Sequence, residues 1–347
     1  MSIERCPDFG QILRILEKKA PDRPTLFEFF MDDPLYEHVA GSIKEKKDGY
    51  DGLRRQVKTF YKVGYDYCTI RANDYAFKAK EADEKSTYSI NEGGLIKDRE
   101  SFENFDWKNP EDFGCVPVEV AAEELHEGAK LIVCGPGGLL ENTIDLVGYE
   151  DLCFMMYENP DLLTDITTHI GERLISYYKM FIHHPMVGAI ISNDDWGFNH
   201  QTMLSPDALR RWVFPWHRKI VQMAHDHGKP CILHSCGYAK DIMEDIIYDM
   251  KFDGKHSFED NIRPIEEAYE EYHGKIALLG GLDLDFVCRS KPEEIHERAG
   301  KMIERTSGRG GWALGTGNSV PAYVPWENYF AMTSAATGLS YDQVMAR

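Results

Sequence analysis

Along the chain, short apolar runs rich in β-branched and aromatic residues alternate with stretches whose apolar positions recur near every 3.6 residues. The runs are TLFEFF (25–30), YDYCTIRA (65–72), KLIVCG (130–135), VGAIISN (187–193), PCILHSC (230–236), FDGKHSF (252–258), IALLGGL (276–282) and GGWALGTG (310–317). Between them, segments such as Pro206 to His227 and Pro292 to Thr306 carry a helical apolar spacing. Strands that alternate with helices pair in parallel through right-handed crossovers. Eight such units predict an α/β fold of the (β/α)8 TIM-barrel type, in one domain covering residues 1–347. The residues left over form an N-terminal helical extension, an insertion after strand 2 from Asn73 to Val116, and a long helical stretch between Gly137 and Pro185. A doubly wound sheet could use six or seven of the units. The count of eight and the lack of a GxGxxG after the first strand favour the barrel.

Polar groups recur at the same end of these strands. They are Asp32 and Asp33; Arg71; Gly135 and Gly137; Asn193, Asp194 and Asp195; His234 and Cys236; His256 and Glu259; Asp283 and Asp285; and Asn318. In a barrel the C-terminal ends of different strands converge on one mouth, where chemistry takes place.

Composition narrows the partners. The formal charge of −19 over 347 residues argues against binding to nucleic acid or to an anionic membrane surface. No stretch is long and apolar enough to span a bilayer, and the first residues lack a secretory pattern. Eight cysteines without a CxxC pair suit reduced thiols, so a cytoplasmic location is expected.

His234 and Cys236 stand two apart, so on a regular strand they face the same way, and both are good zinc ligands. A buried thiol beside a hydrogen-bonded imidazole explains the same pair. Of Asn193-Asp194-Asp195-Trp196, one carboxylate is expected to face the mouth while the other caps the next segment. Gly280-Gly281-Leu282-Asp283 suits either close backbone approach to a ligand or a tight turn with a helix cap. His256 and Glu259 read as ligands, supporting groups or surface. The segment GTGNSVPAYVPWENYF offers Asn318 and the aromatics Tyr323, Trp326 and Tyr329 as a wall for a planar molecule, or as packing.

Five ordered blocks (PDRPTLFEFF, ISNDDWGFNHQTMLSP, HSCG, KIALLGGLDLDFV and GNSVPAYVPWENYFAM) resemble the uroporphyrinogen decarboxylase superfamily, and within it the cobalamin-dependent methyltransferases. True decarboxylases carry an arginine-containing motif after the first strand. Here FFMDDPLYEH is acidic, and Asp32 and Asp33 would repel a polycarboxylate, so uroporphyrinogen decarboxylation is disfavoured. The resemblance implies zinc held by His234 and Cys236, with a further Cys on the last strand. Asn318 stands where that Cys is expected, so carboxylates such as Asp195, Glu259 or Asp283 would complete the set. The implied metal residues are thus His234, Cys236 and Glu259. The implied catalytic residues are Asp194, Asp195, His256 and Asp283, with Asp194 or His256 as proton donor. Asn193, Trp196, Asn318 and Tyr323 are the expected substrate contacts. The implied reaction moves a methyl group from a small-molecule methyl donor, such as a methoxylated aromatic, to cobalamin on a separate corrinoid protein. Transfer from a methyl-corrinoid to a thiol or tetrahydrofolate is the alternative, and a non-catalytic small-molecule-binding barrel is a second. A homodimer is also compatible.

Overall fold

The computed structural model describes residues 5–46, 48–77, 91 and 94–347. Its centre is a curled, seven-stranded, all-parallel sheet in the order β1-β2-β3-β4-β5-β6-β7, which makes the chain an α/β protein. The strands are β1 (Tyr67–Arg71), β2 (Lys130–Cys134), β3 (Val187–Asn193), β4 (Cys231–His234), β5 (Gly254–His256), β6 (Ala277–Leu279) and β7 (Trp312–Ala313). Leu131, Ile132, Val133, Ile190, Ile191, Ile232, Leu233, Leu278 and Leu279 are all fully buried. This continuous burial belongs to a parallel sheet covered on both faces. The predicted helix at 292–306 is present as Pro292–Thr306, while Pro206–Asp226 is helical with a π-turn at Leu209–Val213. Part of the insertion after the second run lies outside the described residues. Its described part includes a helix at Arg99–Glu103 and a 3-10 turn at Pro110–Phe113.

The first predicted run does not form a strand of the sheet. Residues 25–30 make one isolated parallel bridge, Leu26 with Leu314 just after β7. Phe27 N donates to Leu314 O at 2.7 Å, and Leu314 N donates to Thr25 O at 2.8 Å. On the β1 side a side chain takes the place of a ladder. The Tyr67 hydroxyl accepts from Glu28 N and donates to Glu28 O, both at 2.7 Å. A phenol that satisfies both backbone groups leaves nothing for strand pairing to satisfy.

Register places the polar strand ends. Asn193 is paired with His234, His234 with His256, and His256 with Leu279. Three chemically capable side chains therefore stand in one row across β3, β4 and β5. Among the described residues no helix is long and apolar enough to cross a membrane.

Candidate metal centre

Asp195, His234 and Cys236 come together where β3 and β4 end. One ligand atom from each lies within 4.8 Å of the other two. Cys236 Sγ is 3.6 Å from His234 Nε2, and Cys236 N donates to Asp195 Oδ1 at 2.8 Å. Zinc bonds of 2.0–2.3 Å in a tetrahedron put donor atoms about 3.4–3.8 Å apart, so the sulfur–nitrogen separation and the donor chemistry suit that ion. Glu259 does not belong to this group; the carboxylate brought to the His–Cys pair is Asp195.

His256 stands behind the cluster. It is fully buried, and its Nδ1 lies 2.8 Å from His234 Nδ1. Two neutral imidazoles can share only one hydrogen there. A metal at His234 Nε2 requires the tautomer in which His234 Nδ1–H donates to His256 Nδ1. Burial, then the neighbouring His234, pushes the His256 pKa well below its usual range, and burial pushes His234 down to about 3. With a metal on His234 Nε2, His256 would therefore be the neutral acceptor that orients His234. The expectation that it donates a proton to substrate does not suit a ring with no exposure. Phe29 stacks on the His234 ring at 4.3 Å between centroids.

Cys236 is ringed by donors. Asn318 Nδ2 donates to its sulfur at 3.2 Å and Ser257 Oγ at 3.5 Å. The amide orientation is set at its other end, where Asn318 Oδ1 accepts from Ser319 N at 2.8 Å. Asn318 thus occupies the neighbourhood where the resemblance expects a thiolate. Without a cation, burial and then the Asp195 charge push the thiol up to about 12. Burial likewise raises the Asp195 carboxyl. A divalent ion is the charge that would reverse both shifts.

Asp194 does other work. It is fully buried; Oδ1 accepts from Glu141 N (2.9 Å), and Oδ2 accepts from Leu140 N (2.9 Å), Trp196 Nε1 (2.8 Å) and His217 Nε2 (2.9 Å). The carboxylate thereby caps the helix Leu139–Val147, whose start approaches so closely that a Cβ on Gly138 would lie 2.1 Å from Asp194. With four donors in place, three of them on Oδ2, it anchors the scaffold where a catalytic acid was expected. Trp196, also expected at the substrate, is fully buried against Phe214 and His217 and contributes packing and its indole N–H.

The remaining predicted residues line the mouth. Glu259, Asp283, Asn318 and Tyr323 border one cleft of about 740 Å³. Asp283 caps the helix Leu284–Arg289 through Phe286 N at 3.0 Å and also accepts from Asp260 N at 2.9 Å. Tyr323 is 71% exposed and forms the rim. Burial, then the Asp283 charge, raises the half-buried Glu259. Asn193 keeps a buried Oδ1 without a hydrogen-bond partner among the described residues, beside the row of histidines.

Several site residues escape sequence reasoning. Lys255, in the middle of β5, is buried, and its ammonium donates to Ser257 O at 2.7 Å and Ser235 O at 3.2 Å. Burial lowers it to about 8, against the raising pull of Cys236, Asp195 and Glu259. It lines a second hollow with Met243, Ser257, Phe258, Glu259 and Tyr272. Burial, then Asp194 and Asp195, pushes Glu141 up to about 8. A charged residue inside a strand-forming run was the available signal for Lys255.

Comparison with known proteins agrees with this architecture. No curated protein matches the chain in sequence. Among solved structures, a methyltransferase from Methanosarcina mazei has a TM-score of 0.69 at 16% identity, covering 94% of this chain and 97% of that one. An intracellular xylanase from Thermoanaerobacterium saccharolyticum, at 10% identity, covers 95% of this chain and 99% of its own with a TM-score of 0.42, too low to carry weight. The sequence profile of the uroporphyrinogen decarboxylase (URO-D) family matches residues 103–339. That stretch runs from the described part of the insertion through β7 and holds every residue of the metal cluster, so the chain belongs to the uroporphyrinogen decarboxylase family.

Proposed function

We propose that the protein is a corrinoid-dependent methyltransferase. It takes a methyl group from a methylated small molecule, a methyl ether such as a methoxylated aromatic, and passes it to the cobalamin of a separate corrinoid protein. The observation that carries this reading is the Asp195–His234–Cys236 cluster with a single sulfur donor and the Asn318 amide against it. Family membership and the methyltransferase-like fold support it. We take residues 25–30 as the eighth stave of a (β/α)8 barrel, on the strength of the Leu26–Leu314 bridge.

Zinc held by Asp195, His234 and Cys236 would supply a Lewis acid for the ether oxygen, stronger for having one thiolate rather than two. The protein's own groups do the rest. His256 fixes the tautomer and angle of His234. Asn318 and Ser257 hold the Cys236 sulfur in place. Buried Lys255 offsets the negative charge of Asp195 and Cys236. Glu259 borders the cleft, and burial, then the Asp283 charge, raises its carboxyl, which favours the protonated form that a general acid for the departing oxygen requires.

The test is metal content combined with cob(I)alamin methylation across a panel of methyl ethers. Zinc that disappears in His234→Ala, together with ether-dependent methylation, is expected. Rapid transfer from methylcobalamin to a thiol, with no ether activity, would reverse the direction of the reaction. Absence of bound metal when zinc is supplied would leave a non-catalytic binding barrel.

A further inference from the structure

Next in the chain to Phe29, which stacks on His234, Glu28 is fully buried. Its Oε1 accepts from Thr316 N at 2.7 Å, and its Oε2 lies 2.7 Å from Thr316 Oγ1. The same Thr316 hydroxyl lies 2.5 Å from the carbonyl oxygen of Asn318. A threonine hydroxyl has one hydrogen. If Glu28 is a carboxylate, Thr316 Oγ1 faces two acceptors and can satisfy only one. The second contact would then be a pair of oxygens at hydrogen-bond distance with no hydrogen between them. If Glu28 carries the hydrogen on Oε2, the chain Oε2–H···Oγ1–H···O=C is complete.

We infer that Glu28 is a protonated positioning residue, whose O–H holds the Thr316 hydroxyl so that the Thr316 proton ties down Asn318 and seats its amide on Cys236. Among the described residues no cationic side chain bears on Glu28 to favour the charged form. Facing Glu28 are the hydroxyls of Tyr36, Tyr65, Tyr67 and Tyr329. Tyr67 is committed to the Glu28 backbone, Tyr65 and Tyr329 to each other at 2.7 Å, and Tyr36 accepts from Met31 N at 2.9 Å. Burial accordingly pushes Glu28 up to about 8, against the two Thr316 contacts. The approach is possible only because Gly315 has no side chain: a Cβ there would lie 1.7 Å from Phe27 O and 3.3 Å from Glu28 Oε1. Glu28 thus reaches Cys236 through Thr316 and Asn318, and this holds whichever way a methyl group moves.

Two measurements on the metal-free protein test it. Infrared difference spectra of wild type against Glu28→Gln should show a protonated-carboxyl C=O stretch at neutral pH that fades as pH passes about 8. Only carboxylate bands throughout would overturn the inference. The second measurement is alkylation of Cys236, followed by mass spectrometry of its peptide. In wild type the rate should rise severalfold above the same pH as Asn318 is released. Glu28→Gln, whose amide can donate to Thr316 Oγ1 and accept from Thr316 N, should keep the slow rate and lose the break. Thr316→Val cuts the same chain without touching Glu28 and should expose Cys236 at every pH. A pH break retained in Glu28→Gln, or unchanged alkylation in Thr316→Val, would refute the proposal.

Discussion

The family resemblance implied a catalytic Asp194, and its geometry makes it an anchor, so removing it separates the two roles. In Asp194→Ala four donors lose their acceptor: Leu140 N, Glu141 N, Trp196 Nε1 and His217 Nε2. Each buried donor left unsatisfied costs about 1–3 kcal/mol, so the substitution should remove roughly 4–12 kcal/mol. That is comparable with the whole stability of many domains, about 5–15 kcal/mol, and the variant should accumulate little folded protein. Asp194→Asn is the informative change. Turned so that its oxygen replaces Oδ2, the amide keeps three donors and presents N–H to Glu141 N, orphaning one. The expected loss is about 1–3 kcal/mol. The assay is urea unfolding together with amide hydrogen exchange. The start of the helix Leu139–Val147 should exchange faster, above all at Leu140 and Glu141, while the far end of the sheet keeps its protection. An Asp194→Asn protein as stable as wild type, with unchanged exchange at those two amides, would refute the anchoring role. Reduced turnover in such a protein would restore Asp194 to the catalytic list.

Three further outcomes follow from the site. His256→Phe removes the acceptor at His234 Nδ1 without touching a ligand, and should weaken zinc binding about 10–100-fold in competition with a chromophoric chelator; unchanged affinity would contradict the shared Nδ1 hydrogen bond. Asn318→Cys adds a second sulfur beside Cys236, so zinc should bind more tightly while demethylation of ethers falls; an increase in both would sink the Lewis-acid argument. Because the folded-state pKa of Glu28 is raised from 4.5 to about 8, the folded chain keeps a proton that the unfolded chain releases, so its contribution is full below 4.5 and is lost as pH rises to about 8. The decline amounts to about 1.4 kcal/mol per pH unit and about 5 kcal/mol in all, and equilibrium unfolding of Glu28→Gln should lack that slope.

The chain's own pattern was enough to place most of the framework. Alternation of apolar runs with helical spacing located all seven strands, because a strand buried on both faces must be apolar along its whole length. It failed for residues 25–30, whose apolar character was read correctly but whose pairing on the β1 side is replaced at Glu28 by Tyr67, a side chain from another strand. Periodicity reports burial, and the identity of the hydrogen-bond partner lies elsewhere in the chain.

The candidate site divides in the same way. His234 and Cys236 were legible as a pair because strand geometry puts residues two apart on one face. Which carboxylate joins them was decided by the register of β3 against β4, since Asp194 and Asp195 are adjacent and differ only in what the fold brings to them. Asp194 meets a helix start and a histidine; Asp195 meets the Cys236 backbone and the metal cluster. The sequence by itself determined the donor types, the order of the strands and the end at which the polar groups gather. Tertiary structure alone decided the role of each, because charge, desolvation and hydrogen-bond supply around a buried group come from residues distant in the chain. Glu28 meets Thr316 across 288 positions and Asn318 meets Cys236 across 82, and no local pattern encodes either contact.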